Sequence, residues 1–184
     1  MKRLCLAMLA ASLWLPATAH AHPETGLLPD AIAETEYRIV LEINPGDIQT
    51  RNRLAMVLYR KNKLREAERE LAEVLRSAPR DFDAHDAMGL IRLKEKKSAE
   101  AIAWFQKAIA LNGDDTMVHH GLGLALEQAG RYREAEESYR RGLEVNERLL
   151  RKGVNREKEA ERKNTLLVAL QNLQNRIRTS RGGS

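Results

Sequence analysis

The chain has 184 residues, of which 43% are hydrophobic, 31% are charged and only 4% are aromatic, and its formal net charge is +5. Its single cysteine, Cys5, excludes an internal disulfide framework and a cysteine-rich metal site. Ala, Leu, Glu, Lys and Arg are abundant, and this composition favours helices over strands. A chain of this length holds one compact domain or a short repeat array.

The segment 1–21 has the pattern of a signal peptide. Lys2 and Arg3 give a positive start, and the apolar run from Leu4 to Leu15 is too short to span a bilayer. Ala19 and Ala21 then form the small-x-small pattern that signal peptidase cleaves, so we expect cleavage after Ala21, with cleavage after Ala19 as the second choice. The alternatives are a short N-terminal membrane anchor and a buried helix. The pattern predicts an exported protein, periplasmic if the source is a Gram-negative bacterium.

Caps and breakers place the helices that follow. A helix that starts at Pro29 is expected to end near Asn44, before a Pro-Gly pair. Asp47, Asp81 and Ser98 are suitable N-caps for later helices. Those later helices are expected at 48–60, 64–77, 82–94, 99–111, 116–128, 132–151 and 156–178.

A fixed spacing of 34 residues runs through these helices. It separates Ala67 from Ala101 and Ala101 from Ala135. A large side chain follows four residues after each alanine: Leu71, Phe105 and Tyr139. A pair that ends in Ala or Gly precedes each alanine: Leu54-Ala55, Met88-Gly89 and Leu122-Gly123. A fixed period of this length marks a repeat array. The pattern resembles the tetratricopeptide repeat, in which two antiparallel helices form one unit.

This resemblance implies an all-α fold, a right-handed α-solenoid of antiparallel helix pairs with a C-terminal capping helix. Ala33 and Tyr37 continue the period backwards from Ala67 and Leu71, so the array is expected to begin with half a unit. The expected segments are a signal peptide (1–21), an N-terminal segment with a half-repeat capping helix (22–46), three repeats within 47–151 (48–81, 82–115 and 116–149), a C-terminal amphipathic helix (152–178) and a flexible tail (179–184).

The segment 156–178 carries one apolar stripe at helical spacing, and three glutamates near its start complement the positive end of a helix: Leu166, Leu170, Leu173 and Ile177; Glu157, Glu159 and Glu161. It is expected to cap the exposed end of the last repeat, since terminal repeats need a solubilising cap. The alternative is a docking helix that meets a partner or its own copy in a second molecule.

The resemblance also implies a concave surface built from the first helix of each unit. The positions that face it are Asn52, Met56, Tyr59, Arg60, Asp83, Asp86, Leu90, Leu93, Lys94, Met117, His120, Leu124, Glu127 and Gln128. Among them, Met56, Leu90 and Leu124 share one column and form an apolar strip, and Asn52, Asp86 and His120 share the neighbouring column and form a polar ladder. Such a surface suits an extended peptide or an amphipathic helix of another protein. The alternative is that the apolar members belong to the core or are covered by the terminal helix of the chain itself.

The sequence contains no glycine-rich phosphate loop and no serine nucleophile elbow. It therefore predicts a non-catalytic protein–protein interaction scaffold or assembly factor of the cell envelope, without a cofactor. One alternative is a structural homo-oligomer assembled through the C-terminal helix. A less favoured one is a metal-binding accessory protein that uses His85, His119 and His120.

The charge distribution is uneven, because residues 148–184 carry ten basic and three acidic side chains, whereas residues 22–147 carry 19 basic and 23 acidic ones. A nucleic-acid ligand is not expected, because no aromatic residues lie between these basic ones to stack on bases. An acidic partner or an anionic envelope surface fits the basic segment better, and the plainest interpretation is a solvated helix face.

Overall fold

The computed structural model describes residues 29–182, and every regular element in that part of the chain is an α-helix. The helices are α1 (Asp30–Ile43), α2 (Ile48–Arg60), α3 (Leu64–Ser77), α4 (Phe82–Lys94), α5 (Ser98–Leu111), α6 (Thr116–Gln128), α7 (Tyr132–Arg151) and α8 (Arg156–Gly182). The predicted signal peptide, 1–21, lies outside the described residues. Within them, no helix combines the length and the apolar character that a membrane span requires.

Aspartates begin the first helix of each pair. The Asp47 carboxylate accepts a hydrogen bond from the backbone N–H of Thr50 at 3.0 Å. Asp81 and Asp115 cap α4 and α6 in the same way. The predicted cap at Ser98 is wrong, because Ser98 is already the first residue of α5 and its predecessor provides no side-chain cap.

The tight turn inside each pair places one residue in the left-handed region of backbone space. These residues are Asn62 (φ 61°), Lys96 (φ 62°) and Gly130 (φ 75°), and they are separated by the same repeat period. Glycine adopts this conformation without steric cost and asparagine tolerates it, whereas lysine is strained there. The backbone conformation of each turn therefore recurs with the same period as the small and large side chains that pack the helices.

The pairs α2/α3, α4/α5 and α6/α7 stack into a right-handed α-solenoid, and small residues set how closely they approach. A Cβ atom built on Gly89 would lie 2.7 Å from the Phe105 ring, and one built on Gly121 would lie 2.6 Å from it. Phe105 is fully buried between these two glycines, which belong to successive first helices. One aromatic ring thus joins two neighbouring units. This explains why the repeat position of Phe105 carries large side chains while the positions of the glycines carry small ones.

Helix α1 is held on the next pair by charge as well as by packing. Its buried Glu34 accepts hydrogen bonds from Lys61 Nζ at 2.6 Å and from Lys63 Nζ at 2.8 Å. These two ammonium groups, with Arg38, lower the pKa of Glu34 to about 2. Asp30 forms a further ion pair with Arg60, 2.6 Å between Oδ1 and a guanidinium nitrogen.

Helix α8 packs mainly against α7 and also touches α6, the first helix of the preceding unit. The first helices α2, α4 and α6 contact their neighbours in the same manner. α8 therefore occupies the place of the first helix of a fourth unit. The helix also continues beyond the expected end at Arg178 to Gly182, so the expected tail begins in helical conformation.

Candidate partner-binding groove

The first half of the concave surface is an open cleft of about 420 Å³. Helices α1, α2 and α4 form its walls. The lining side chains are Tyr37, Gln49, Asn52, Arg53, Met56, Val57, Arg60, Asp83 and Asp86. Three predicted residues of the first unit and two of the second thus share one cavity, and the fourth predicted residue of the first unit, Tyr59, is not among its lining side chains.

Two carboxylates dominate the electrostatics of this cleft. Burial, and then repulsion from Asp115 and Asp83, raise the pKa of Asp86 to about 7. Burial also raises the pKa of Asp83, with contributions from Asp81 and Asp115. Within residues 29–182, no hydrogen bond or ion pair is formed by the Asp83 or Asp86 carboxylate. The cleft therefore offers acceptors for a cation in partly desolvated surroundings.

Asn52 is less accessible than its place in the ladder suggests. The residue is only 8% exposed, and its amide Nδ2 donates to Asp81 Oδ1 at 2.9 Å. That contact ties α2 to the cap of α4. The second ladder residue, Asp86, is half-buried and is the one that presents an unpaired charge.

At the rim of the groove, polar side chains link successive first helices. Lys94 Nζ donates to the backbone oxygen of Tyr59 at 3.1 Å and lies 4.6 Å from the centre of the Tyr59 ring. Gln128 Nε2 repeats this link one unit later by donating to the backbone oxygen of Leu93 at 3.3 Å. Burial and the charge of Asp86 raise the pKa of Tyr59. These predicted groove residues therefore help to hold the curvature.

The second half of the concave surface is covered by α8. His120, Leu124 and Glu127 line a cavity of about 580 Å³ together with α8 residues that include Val168 and Arg176. Glu127 accepts a hydrogen bond from the Tyr139 hydroxyl at 2.5 Å and pairs with Arg176 at 3.4 Å. Burial lowers the pKa of His120. The expectation that the terminal helix covers part of the groove thus applies to the third unit, and α8 itself becomes a groove wall there.

Three remaining predicted residues are half-buried rather than open. Leu90 and Leu93 pack against the core around Phe105. Met117 lies in the first turn of α6, where its backbone N–H donates to Asp115 at 2.7 Å. These positions support the groove from below and contribute little free surface to it.

Family models for the tetratricopeptide repeat match residues 52–116 and 117–149. The chain belongs to the tetratricopeptide repeat family. Among curated protein sequences, none is similar enough to this chain to serve as a relative.

Several solved structures share this fold. A structure described as the crystal structure of MamA has a TM-score of 0.56 and 19% identity, and the match covers 78% of this chain and 90% of that one. MamA (41-end) from Desulfovibrio magneticus RS-1 has a TM-score of 0.56 and 17% identity, with 79% and 87% covered. A mutant O-GlcNAc transferase from Thermobaculum terrenum has a TM-score of 0.50 and 21% identity, with 65% of this chain but 20% of the transferase covered. At such identities the likeness concerns the fold alone.

A buried polar network fixes α8 on this repeat scaffold. Glu159 is 2% exposed, and its Oε2 accepts hydrogen bonds from Thr116 Oγ1 at 2.8 Å and from Asn146 Nδ2 at 2.7 Å. Arg162 pairs with the other carboxylate oxygen of Glu159 at 2.7 Å and lies 3.5 Å from Asp115. In the sequence, Glu159 is one of three glutamates expected at the positive end of this helix. Nothing in the repeat period distinguishes it from its neighbours.

The three histidines of the metal hypothesis are engaged separately. His85 Nδ1 lies 2.7 Å from the backbone oxygen of Asp81, and its ring packs on Trp104. His119 Nε2 lies 3.1 Å from the backbone oxygen of Gly113, while His120 packs near Tyr139. Across residues 29–182, no three His, Cys, Asp or Glu side chains are arranged to hold a metal ion. The structure therefore gives no support to a shared metal site at these histidines.

Proposed function

We propose that this tetratricopeptide repeat protein is an exported, non-catalytic interaction scaffold or assembly factor of the cell envelope. Tetratricopeptide repeat proteins bind other proteins, and this chain carries an open concave cleft of the size of several side chains. Its N-terminal sequence supports export, and a periplasmic location in a Gram-negative cell follows from it. The partner is a peptide or a helix of another protein, bound across α2 and α4.

The unpaired, half-buried carboxylate of Asp86 beside Met56 is the observation that carries this proposal. A desolvated charge without a counter-ion costs free energy, and a basic side chain from a partner would remove that cost. Met56 is a flexible apolar contact that adapts to different side chains. The fitting partner segment therefore places a lysine or arginine next to an apolar residue.

We assign no reaction to this cleft. Its lining includes no histidine, serine or cysteine that could act as a base or nucleophile beside the two carboxylates. A raised pKa at Asp86 is accounted for by burial and by neighbouring acids. The two carboxylates of the cleft can bind a basic side chain of a partner without any catalytic group beside them.

Site-specific photo-crosslinking in the native host tests the binding site. A photoreactive residue in place of Gln49, which is exposed and lines the cleft, should form an adduct with another protein. The matched control replaces Ala72, which is exposed on α3 outside the cleft. The Asp86→Lys variant should abolish the Gln49 adduct, because it replaces the attracting charge with a repelling one. Equal adducts from Gln49 and Ala72, or an adduct that persists in Asp86→Lys, would contradict the proposed site.

Export is tested separately by sequencing the amino terminus of the protein recovered from its host. The expected first residue is His22. A protein that keeps Met1 and remains in the cytoplasm would remove the envelope location while leaving the groove proposal intact.

A further inference from the structure

The outer face of α1 is unusually apolar. Ile32, Ile39, Val40 and Ile43 are 48%, 51%, 39% and 81% exposed. They recur at spacings that place them on one side of the helix. Glu36 lies among them on the same side, one turn after Ile32 and one turn before Ile39 and Val40. Isolated exposed apolar residues need no explanation, but four on one side of a helix mark a contact surface.

The repeat period shows that Ile32 and Ile39 are particular to α1. Counting forward from Ile32 by one period at a time gives a glutamate in each later unit: Glu66, Glu100 and Glu134. Counting forward from Ile39 gives Glu73, Lys107 and Arg141. The positions that correspond to Ile32 and Ile39 are thus charged in the full repeats. Those that correspond to Ile43 are Ser77, Leu111 and Val145, so apolar residues at that position also occur in later units.

The two ends of the described solenoid are complementary halves. α1 has the position of a second helix, and no first helix precedes it within residues 29–182. α8 has the position of a first helix, and no second helix follows it in the same part of the chain. Leu167 and Val168 of α8 are 44% and 57% exposed. α1 and α8 thus end the described array as two unpaired helices, and both carry exposed apolar side chains.

Charge favours contact between α1 and α8. Residues 30–43 carry four acidic and one basic side chain, but Asp30 and Glu34 are already paired with Arg60, Lys61 and Lys63 of the same chain. Residues 156–182 carry seven basic and three acidic side chains, a net of +4. On α1, Glu36 and Glu42 are exposed and have no ion-pair partner among the described residues. Opposite charges steer two surfaces together and disfavour α1 against α1 or α8 against α8.

We infer that the chain associates head to tail with a second copy of itself, with the Ile32–Ile39–Ile43 stripe of α1 docked on the Leu167 side of α8. The interface is heterologous, since it joins two different surfaces, and each added copy leaves one α1 face and one α8 face free. The assembly therefore grows into a ring or an open fibre of repeats. It does not use the cleft at Asp86, so it is independent of the proposed partner site.

Sedimentation of charge variants tests this interface. Ile39→Glu and Leu167→Glu each place an unpaired charge at an exposed position, so the chain should still fold, with an unchanged circular dichroism spectrum. The mass of the unaltered chain should rise with concentration. Each variant alone should associate at least about tenfold more weakly, a loss of about 1.4 kcal/mol. The control Ala103→Glu adds the same charge on the exposed surface of α5 and should behave as the unaltered chain.

Mixing the two variants distinguishes this arrangement from others. Ile39→Glu keeps an intact α8 and Leu167→Glu keeps an intact α1, so an equimolar mixture should form a complex of two chains and no larger species. A mixture that stays monomeric overturns the inference. So does a Leu167→Glu variant that associates as strongly as the unaltered chain, which is the result that symmetric α1–α1 pairing would give. An unaltered chain that remains monomeric up to about 1 mM also overturns it. So does an Ile39→Glu variant that loses thermal stability without any change of mass, because residues 1–28 would then cover the stripe.

Discussion

Removing the carboxylate of Glu159 should loosen α8 from the repeat array. In Glu159→Ala, the Thr116 hydroxyl and one N–H of the Asn146 amide lose their shared acceptor. Both residues are 0% exposed, so water cannot replace it without a rearrangement. The second Asn146 contact, from Nδ2 to the Glu159 backbone oxygen at 2.7 Å, survives the substitution.

The cost follows from the number of donors left without a partner. Each buried unsatisfied donor costs about 1–3 kcal/mol, so two of them cost about 2–6 kcal/mol. This is a large part of the stability of about 5–15 kcal/mol that a domain possesses. Glu157 is exposed in the same first turn of α8. Glu157→Ala should change the free energy of unfolding by no more than about 0.5 kcal/mol.

Urea denaturation and hydrogen exchange measure the effect together. Glu159→Ala should lower the free energy of unfolding by the stated amount and accelerate amide exchange in α8 more than in α2. If both glutamates served only the positive end of the helix, each substitution would cost about 0.3–1 kcal/mol. Equal and small losses for Glu157→Ala and Glu159→Ala would therefore refute the network argument.

Three further substitutions have expected outcomes. Gly123→Ala should destabilise the chain by about 1–3 kcal/mol in thermal melts, because its Cβ would lie 2.2 Å from the buried Tyr139 ring, and should cost less in a Tyr139→Leu background. Lys96→Gly should stabilise it by about 0.5–1 kcal/mol, because φ at Lys96 is 62°; an unchanged melting temperature would argue against strain there. The pKa of Asp86 is raised to about 7 in the folded state, from about 3.9 in an unfolded chain, so its contribution falls as the pH rises through that window. Asp86→Asn should therefore flatten the decline between pH 4 and 7 and stabilise the chain at pH 8 by up to about 4 kcal/mol, and a parallel pH profile would contradict this.

The repeat architecture was accessible from sequence because each column reflects a local packing need that recurs. Ala67, Ala101 and Ala135 must be small, Phe105 and Tyr139 must fill the space between units, and the fixed spacing reveals both requirements. Helix ends were also predictable, since caps and breakers act over a few residues. Ser98 was misplaced because α5 begins one residue earlier than its sequence pattern suggests.

The groove was predictable only as a set of positions, because the period specifies which face a residue lies on but not what lies opposite. Asn52 and Asp86 occupy the same column, yet one is tied to Asp81 and the other has no partner among the described residues. His120 and Glu127 belong to the same predicted surface, yet α8 covers them. These outcomes depend on neighbours from other helices.

The sequence by itself determined the helices, their pairing into repeats and the half unit at the start, because these features rest on contacts that recur once in every repeat. Only the tertiary structure decided that α8 takes the place of a fourth first helix and that Glu159 anchors it. It also decided that the open part of the groove lies at α2 and α4 and that the stripe of Ile32, Ile39 and Ile43 stays uncovered within residues 29–182. The physical reason is that burial and charge pairing arise between segments far apart in the chain, where no repeating spacing records them.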